Sequence, residues 1–258
     1  MDTPLPAASP APPPRPTRKQ RELAEREERL LDAAERLLLE HGYLGLTMDR
    51  IADVTEYAKG TVYQHFASKE DVLAALSARL ASSKRELFLR AATFAGLTRE
   101  RCAAVGVAYG LWARRDPDRI RLCAVVGHSS LREKCSAERL RALEESEDAC
   151  TRVLLGLAEE AVAEGELVLP AGVAPGHVVH GLWAVSYGAH QITQLGADLS
   201  RLGLDDPLAA LDRHCQALLD GYGWRPLEAE WDWEQTRARI RAEVFAPEFA
   251  ELERRSAP

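Results

Sequence analysis

Apolar residues in this chain recur at three- and four-residue steps, and no apolar–polar alternation runs beyond a few residues. That spacing is the period of an α-helix, where such residues share a face; a half-buried strand needs a period of two. Leu30, Ala34, Leu37, Leu38 and His41 show it first, as one face of an amphipathic helix with Gly42 placed to stop it. Composition agrees. Ala, Leu, Glu and Arg are abundant while aromatics are only 6%, a bias toward helices over β-sandwiches. With 258 residues, the chain has room for one large domain or two small ones. The fold class is therefore expected to be all-α.

Punctuation divides the chain. Residues 1–17 hold seven of the fourteen prolines, which fix φ and remove donors, so this part reads as an extended, disordered tail. Thr47 is a suitable N-cap for a short helix from Met48 to about Val54, burying Met48, Ile51 and Ala52. After a turn at Thr55–Tyr57, a second short helix runs from about Ala58 to Gln64 or His65, with Val62 and Phe66 as its apolar face. Ser68 then caps a long helix to about Ala95, with Asp71 completing a short-armed capping box. Further helices are predicted near 98–115, from Asp116-Pro117, near 137–164 (ended by Gly165), near 176–196 and near 206–221. Beyond Gly223 come three of the five tryptophans, Trp224, Trp231 and Trp233, and an apolar set of Ile240, Val244, Phe245, Phe249 and Leu252. This last segment is expected to pack back on its own domain. The predicted organisation is a tail at 1–17, a helix-turn-helix domain at 18–68, a helical domain at 69–223 and a helical extension at 224–258.

Several classes are disfavoured. No apolar run approaches a membrane span, and the first residues lack the charged-then-apolar pattern of a secretory signal. Five scattered cysteines without CxxC pairs argue against a disulfide scaffold or zinc ribbon and fit a reducing cytoplasm. No nucleophile elbow, phosphate loop, dinucleotide glycine loop or HExxH is present, so neither an enzyme nor a cofactor is expected. Asp116-Pro117-Asp118 and Glu144-Glu145-Ser146-Glu147-Asp148 read as caps or solvated faces.

Two short helices joined by a tight turn make a helix-turn-helix. A net charge of −7 does not suggest nucleic acid, and residues 1–70 alone carry ten Lys/Arg against twelve Asp/Glu. Locally the balance differs: Tyr57–Lys69 contains two lysines and no acid. Lys59, Thr61, Tyr63, Gln64 and His65 would lie on outer and flanking faces as donors for phosphates and base edges. Gly60 would let the backbone approach DNA closely. His65 has a second role open to it, capping or packing. Arg15, Arg18, Lys19 and Arg21 form a basic arm before the first helix, suited either to a minor groove or simply to solvent.

The block LLDAAERLLLEHGYLGLTMDRIADVTEYAKGTVYQHFASKEDVLAAL, residues 30–76, resembles the DNA-binding domain of TetR/AcrR-family transcriptional regulators. The resemblance rests on AAERL, HGY, T-M-x-x-I-A, K-G-T-V-Y-x-H-F and S-K-E in order and spacing. It implies that Lys59, Gly60, Thr61, Tyr63, Gln64 and His65 read DNA, that Thr47 and Lys69 touch phosphates, and that Arg50 adds a contact. The chain departs from the family pattern in its turn. Glu56 stands where a glycine is usual and Ala58 where a serine caps the helix, a loss of about 1 kcal/mol; Tyr57 brings a ring and hydroxyl that can replace the missing contact.

The resemblance further implies a ligand pocket among the middle helices and a dimer made by two late ones. Gly181, Ala184 and Gly188 form a small-residue stripe, and Leu208, Leu211, Cys215, Leu218 and Tyr222 form a narrow seam suited to a helix bundle, either between subunits or inside one. Pocket candidates are Tyr109, Trp112, Cys123, His128, Trp183, Tyr187 and His190, which combine apolar bodies with polar tips. The alternative for this set is ordinary core packing. His177 and His180, with Cys123, His128 and Cys135, lack the close spacing of a metal site, and no metal is expected. The expected fold is thus an N-terminal three-helix helix-turn-helix DNA-binding domain plus a helical regulatory and dimerisation domain. The expected function is a ligand-responsive, homodimeric, cytoplasmic repressor with a palindromic double-stranded DNA operator. A DNA-binding activator or architectural protein without a ligand, and an interaction protein with a vestigial helix-turn-helix, are the alternatives.

Overall fold

The computed structural model describes residues 17–115, 132–194, 199–204 and 207–256, and among these described residues the helical periodicity becomes ten α-helices. All elements among the described residues are helical. The chain divides into two compact units, Met1–Phe66 and Ala67–Pro258.

In the first unit, α1 (Arg18–Gly45) opens on a capping box between Thr17 and Gln20. Leu30, Leu31, Ala33, Ala34, Leu37 and Leu38 are buried, while His41 at the end of the stripe is exposed. The regular helix is broken at Gly42 (φ 68°, ψ −177°), where the sequence places its stop, in a conformation glycine adopts without a side-chain clash, and a short helical turn follows to Gly45. Helix α2 (Met48–Thr55) buries Met48, Ile51 and Ala52, and the Arg50 N–H donates to the Thr47 hydroxyl at 3.2 Å. It ends at Glu56 in the left-handed region (φ 56°, ψ 22°), which costs a non-glycine residue about 1 kcal/mol or more. Helix α3 (Lys59–His65) follows, and Ala58 offers its N-terminus no side-chain bond.

The second unit begins with α4 (Lys69–Ala92), capped by Ser68, whose hydroxyl accepts the Asp71 N–H at 3.1 Å. The buried Asp71 carboxylate does not return to Ser68. One oxygen accepts the Ala67 N–H and the other the Ser136 N–H at 2.7 Å, which ties α4 to the start of α6 (Ala137–Glu164). Helix α4 packs on α5 (Thr98–Arg115) and on α6. Helix α6 ends at Gly165, φ 77°, a left-handed C-cap. Helix α7 (Pro175–Gln194) packs against α6 and α8 (Pro207–Gly221). Helices α9 (Trp233–Glu243) and α10 (Ala246–Ser256) return to α5. Trp224 is buried with its indole N–H donating to the Thr98 hydroxyl at 2.9 Å, Arg90 pairs with Glu248, and Arg115 pairs with Glu251 at 2.8 Å. The C-terminal segment therefore packs on its own unit. No helix among the described residues is long and apolar enough to cross a membrane.

Candidate nucleic-acid interface

Helix α3 is anchored by two apolar side chains. Val62 and the following Phe66 are fully buried, which turns the rest of this short helix outward. Lys59, Gly60, Tyr63 and Gln64 are exposed and Thr61 is half-buried. Lys59 Nζ lies 2.7 Å from Asp49 of α2, and that hydrogen bond and charge hold its pKa above the usual lysine value. Thr47 and Arg50 are exposed; Arg50 Nη1 also donates to the Gly45 carbonyl at 3.1 Å. Lys69 lies in the second unit as the first residue of α4.

Of the two roles open to His65 the structure favours packing over DNA contact: its side chain is only 2% exposed, with Nδ1 3.4 Å from Glu27 of α1, so it packs inside the first unit, the helix-turn-helix head, instead of facing outward. Position 65 lies only 60° around α3 from the buried Val62, near enough to be drawn inward with it.

Tyr57 in the turn is held by α1. Its hydroxyl accepts from Arg29 Nη1 at 3.2 Å, and the Arg26 guanidinium lies 5.9 Å from the ring centroid. Neither arginine carries any signal in the sequence, because contacts across 28 residues or more leave no local pattern.

The second unit holds a different cluster. Tyr109 meets His190 edge-on at 5.2 Å and stacks near Trp112, whose indole N–H donates to Ser83 at 3.2 Å. Lys84 Nζ lies 5.4 Å above the Trp112 ring. His190 is buried, and its Nε2 has no hydrogen-bond partner among the described residues. Ser83 and Lys84 were not among the sequence candidates; Cys123 and His128 lie outside the described residues. A surface concavity of about 670 Å³, lined by Arg213 and by the segment 228–234 with Trp231, Trp233 and four acids, shares no residue with this cluster.

Trp183 and Tyr187 are corrected too: they are 66% and 52% exposed, not interior. The buried stripe of α7 is Val178, Val179 and Leu182, and Trp183 sits 100° further round the helix. Ala184 is exposed and Gly188 faces open space, whereas a Cβ at Gly181 would lie 3.1 Å from Leu218. Leu211 is buried, and Cys215, Leu218 and Tyr222 are half-buried. Part of the small-residue stripe thus serves the α7–α8 contact inside the chain. The side chain of Leu208 is outside the described residues. The His177 ring accepts the Ala174 N–H at 2.9 Å, a capping role. Among the described residues no group of three His, Cys, Asp or Glu is arranged for a metal.

Burial first, and the Lys84 charge second, hold the His190 pKa below the ordinary imidazole value. The folded state thus resists a proton that the unfolded chain accepts. Stability should be constant above about pH 7 and fall as pH drops below about 6.5. Glu147 and Asp212, whose pKa values burial raises, act in the opposite direction. The difference in melting temperature between wild type and His190→Phe, followed from pH 7.5 to 5.5 (about two units around the imidazole value), isolates the histidine; a difference that does not change with pH refutes the assignment.

Residues 30–76 match the family model described as bacterial regulatory proteins, tetR family. Over 66 residues the chain is 33% identical to the HTH-type transcriptional repressor AcnR of Corynebacterium diphtheriae, covering 26% of this chain and 35% of that one. Over 77 residues it is 35% identical to the HTH-type transcriptional repressor BepR of Brucella suis, covering 30% and 37%. The chain thus spans about a third of the length of these curated relatives. Among solved structures, a transcriptional regulator of the TetR/AcrR family from Thermobifida fusca is similar with a TM-score of 0.54 and 28% identity, over 77% of this chain and 98% of that one.

Proposed function

We propose that this chain is a TetR-family transcriptional repressor, homodimeric, that leaves a palindromic DNA operator when a small effector binds, a reading supported by the match at residues 30–76 and by the similar repressors and solved structure. The observation that carries the DNA reading is helix α3, anchored by Val62 and Phe66 with Lys59, Gly60, Tyr63 and Gln64 left outward and no acid from Tyr57 to Lys69. Operator phosphate would replace Asp49 as the partner of Lys59. The net charge of −7 keeps non-specific binding weak, so specificity must come from the head.

The exposed face of α7, with Trp183, Ala184 and Tyr187 beside the open Gly188, suits a second copy of the chain. A two-fold dimer would place its reading helices about 34–36 Å apart, one turn of duplex. The effector reading is supported by the buried His190 Nε2 beside Tyr109 and Trp112, which has no partner among the described residues, since buried polar atoms are normally satisfied. Ser83 and Lys84 of this cluster lie on α4, whose first residue follows Phe66 by only three positions. A ligand that favours one placement of α4 would shift the population of DNA-competent dimers.

Titration of the protein onto genomic fragments in rising salt tests the reading. One fragment should outcompete random DNA by well over tenfold, which is about 1.4 kcal/mol. Lys59→Ala should weaken that complex about tenfold and lower its salt dependence by about one phosphate per head. The uncapped Ala58 favours one second reading, an interaction protein with a vestigial helix-turn-helix, and the absence of any preferred fragment would select it.

A further inference from the structure

We propose that Arg29 and Tyr57 together form a phosphate-binding site on the head, a contact contributed by α1 beside the turn of the helix-turn-helix. The proposal rests on the DNA-binding reading above and adds a residue that the family motif does not supply.

The argument begins with the turn. Ala58 gives α3 no side-chain cap, so the turn has no small hydroxyl at that position. Tyr57 stands next to it, and α1 holds its side chain from two directions. Arg29 donates to the hydroxyl, and Arg26 lies over the ring. Tyr57 is half-buried and Arg29 exposed, so the pair sits at the surface.

The hydrogen bond sets the polarity of the pair. A phenol that accepts from a guanidinium keeps its own O–H free to donate elsewhere. Arg29 spends one of its five N–H groups on Tyr57, and the rest of its planar fork fits a phosphate geometry. A phenol O–H and a guanidinium edge, locked 3.2 Å apart, therefore present convergent donors to one anion. The Arg26 charge adds to the field at the same spot. Two residues further along the chain is Lys59, exposed at the start of α3 and paired with Asp49, so the arginine–tyrosine pair adjoins the acid-free segment from Tyr57 to Lys69. The ligand is a backbone phosphate of duplex DNA, which carries no sequence information and sets register.

The test uses full-length protein and a duplex recovered by the wild type from a random-sequence pool. Affinity is measured across a salt series for wild type, Arg29→Gln, Arg29→Lys and Tyr57→Phe, with melting temperatures alongside. Arg29→Gln should bind about tenfold more weakly and lower the slope of log affinity against log salt by about 0.9 for each head on the duplex. Arg29→Lys should keep the slope, because the charge remains, while losing part of the affinity. Tyr57→Phe should keep the slope and lose a few-fold in affinity. Melting temperatures should stay at the wild-type value. An unchanged slope in Arg29→Gln overturns the proposal, and lower affinity with an unchanged slope and a lower melting temperature reduces Arg29 to a brace for the turn. If the wild type recovers no duplex at all, the DNA-binding reading itself fails and takes this site with it.

Discussion

Arg99→Ala should destabilise the second unit by about 3–5 kcal/mol, the usual cost of removing one partner from a buried ion pair. Arg99 is the second residue of α5 and has no exposed surface. Its Nη1 donates to the Trp224 carbonyl and lies 2.6 Å from Asp220 Oδ1; its Nη2 donates to the Gln216 carbonyl at 3.2 Å and side-chain oxygen at 3.0 Å. One guanidinium thus satisfies acceptors at the end of α8 and at the first residue of the C-terminal segment. Truncation leaves two carbonyls and a carboxylate without their donor, around a hole beneath Trp231. The Asp220 side chain is 31% exposed and also accepts the Glu228 N–H, so water can relieve part of the penalty and the lower end of the range is expected. Arg99→Lys should recover little, because an ammonium cannot span acceptors arranged for a planar fork. Urea unfolding followed by circular dichroism measures the change. A loss under about 1 kcal/mol would mean that the network merely accompanies packing.

That network also marks where the amino-acid sequence stops being readable. Thr47, Ser68 and Gly165 announce helix ends through their own chemistry, and the structure has caps at all three. Helices 98–115 and 137–164 follow from spacing alone because each carries apolar residues at helical steps, which neighbouring helices then cover. Local signals fail when the deciding partner is remote. Arg99 meets residues more than a hundred positions away, so nothing near it in the chain distinguishes it from a solvated arginine. Trp183 and Tyr187 share a helical face with His190, but only the neighbours of α7 decide which part of that face is covered. In the head, Glu56 and Ala58 could be recognised as departures from the usual turn. That Arg26 and Arg29 would hold Tyr57 could not, because α1 reaches the turn only once the unit is folded.

Gly60→Glu should leave the head folded and lower operator affinity by roughly a hundredfold, about 3 kcal/mol. The expectation comes from what Gly60 does not do. It is exposed in α3, and a Cβ built there meets no atom within 4 Å. A glycine inside a helix is about 1 kcal/mol worse than alanine, so nothing in the described fold explains its presence. A carboxylate in the first turn of α3 should even favour the helix, since the N-terminal end of a helix is the positive end of its dipole. Against DNA the same carboxylate faces phosphate, where like charges repel without a counter-ion to intervene. Gly60→Ala and Gly60→Lys separate the contributions. Alanine should raise the melting temperature slightly and cost a few-fold in affinity through bulk alone. Lysine carries more bulk and the opposite charge, so it should bind better than glutamate at every salt concentration, with the gap closing as salt rises. Thermal melts and operator titrations on the same preparations provide both readouts. Gly60→Glu binding within about threefold of wild type, less than 1 kcal/mol, would remove α3 from the DNA surface. A variant that melts higher and binds far worse would show that position 60 is shaped by a partner outside the chain.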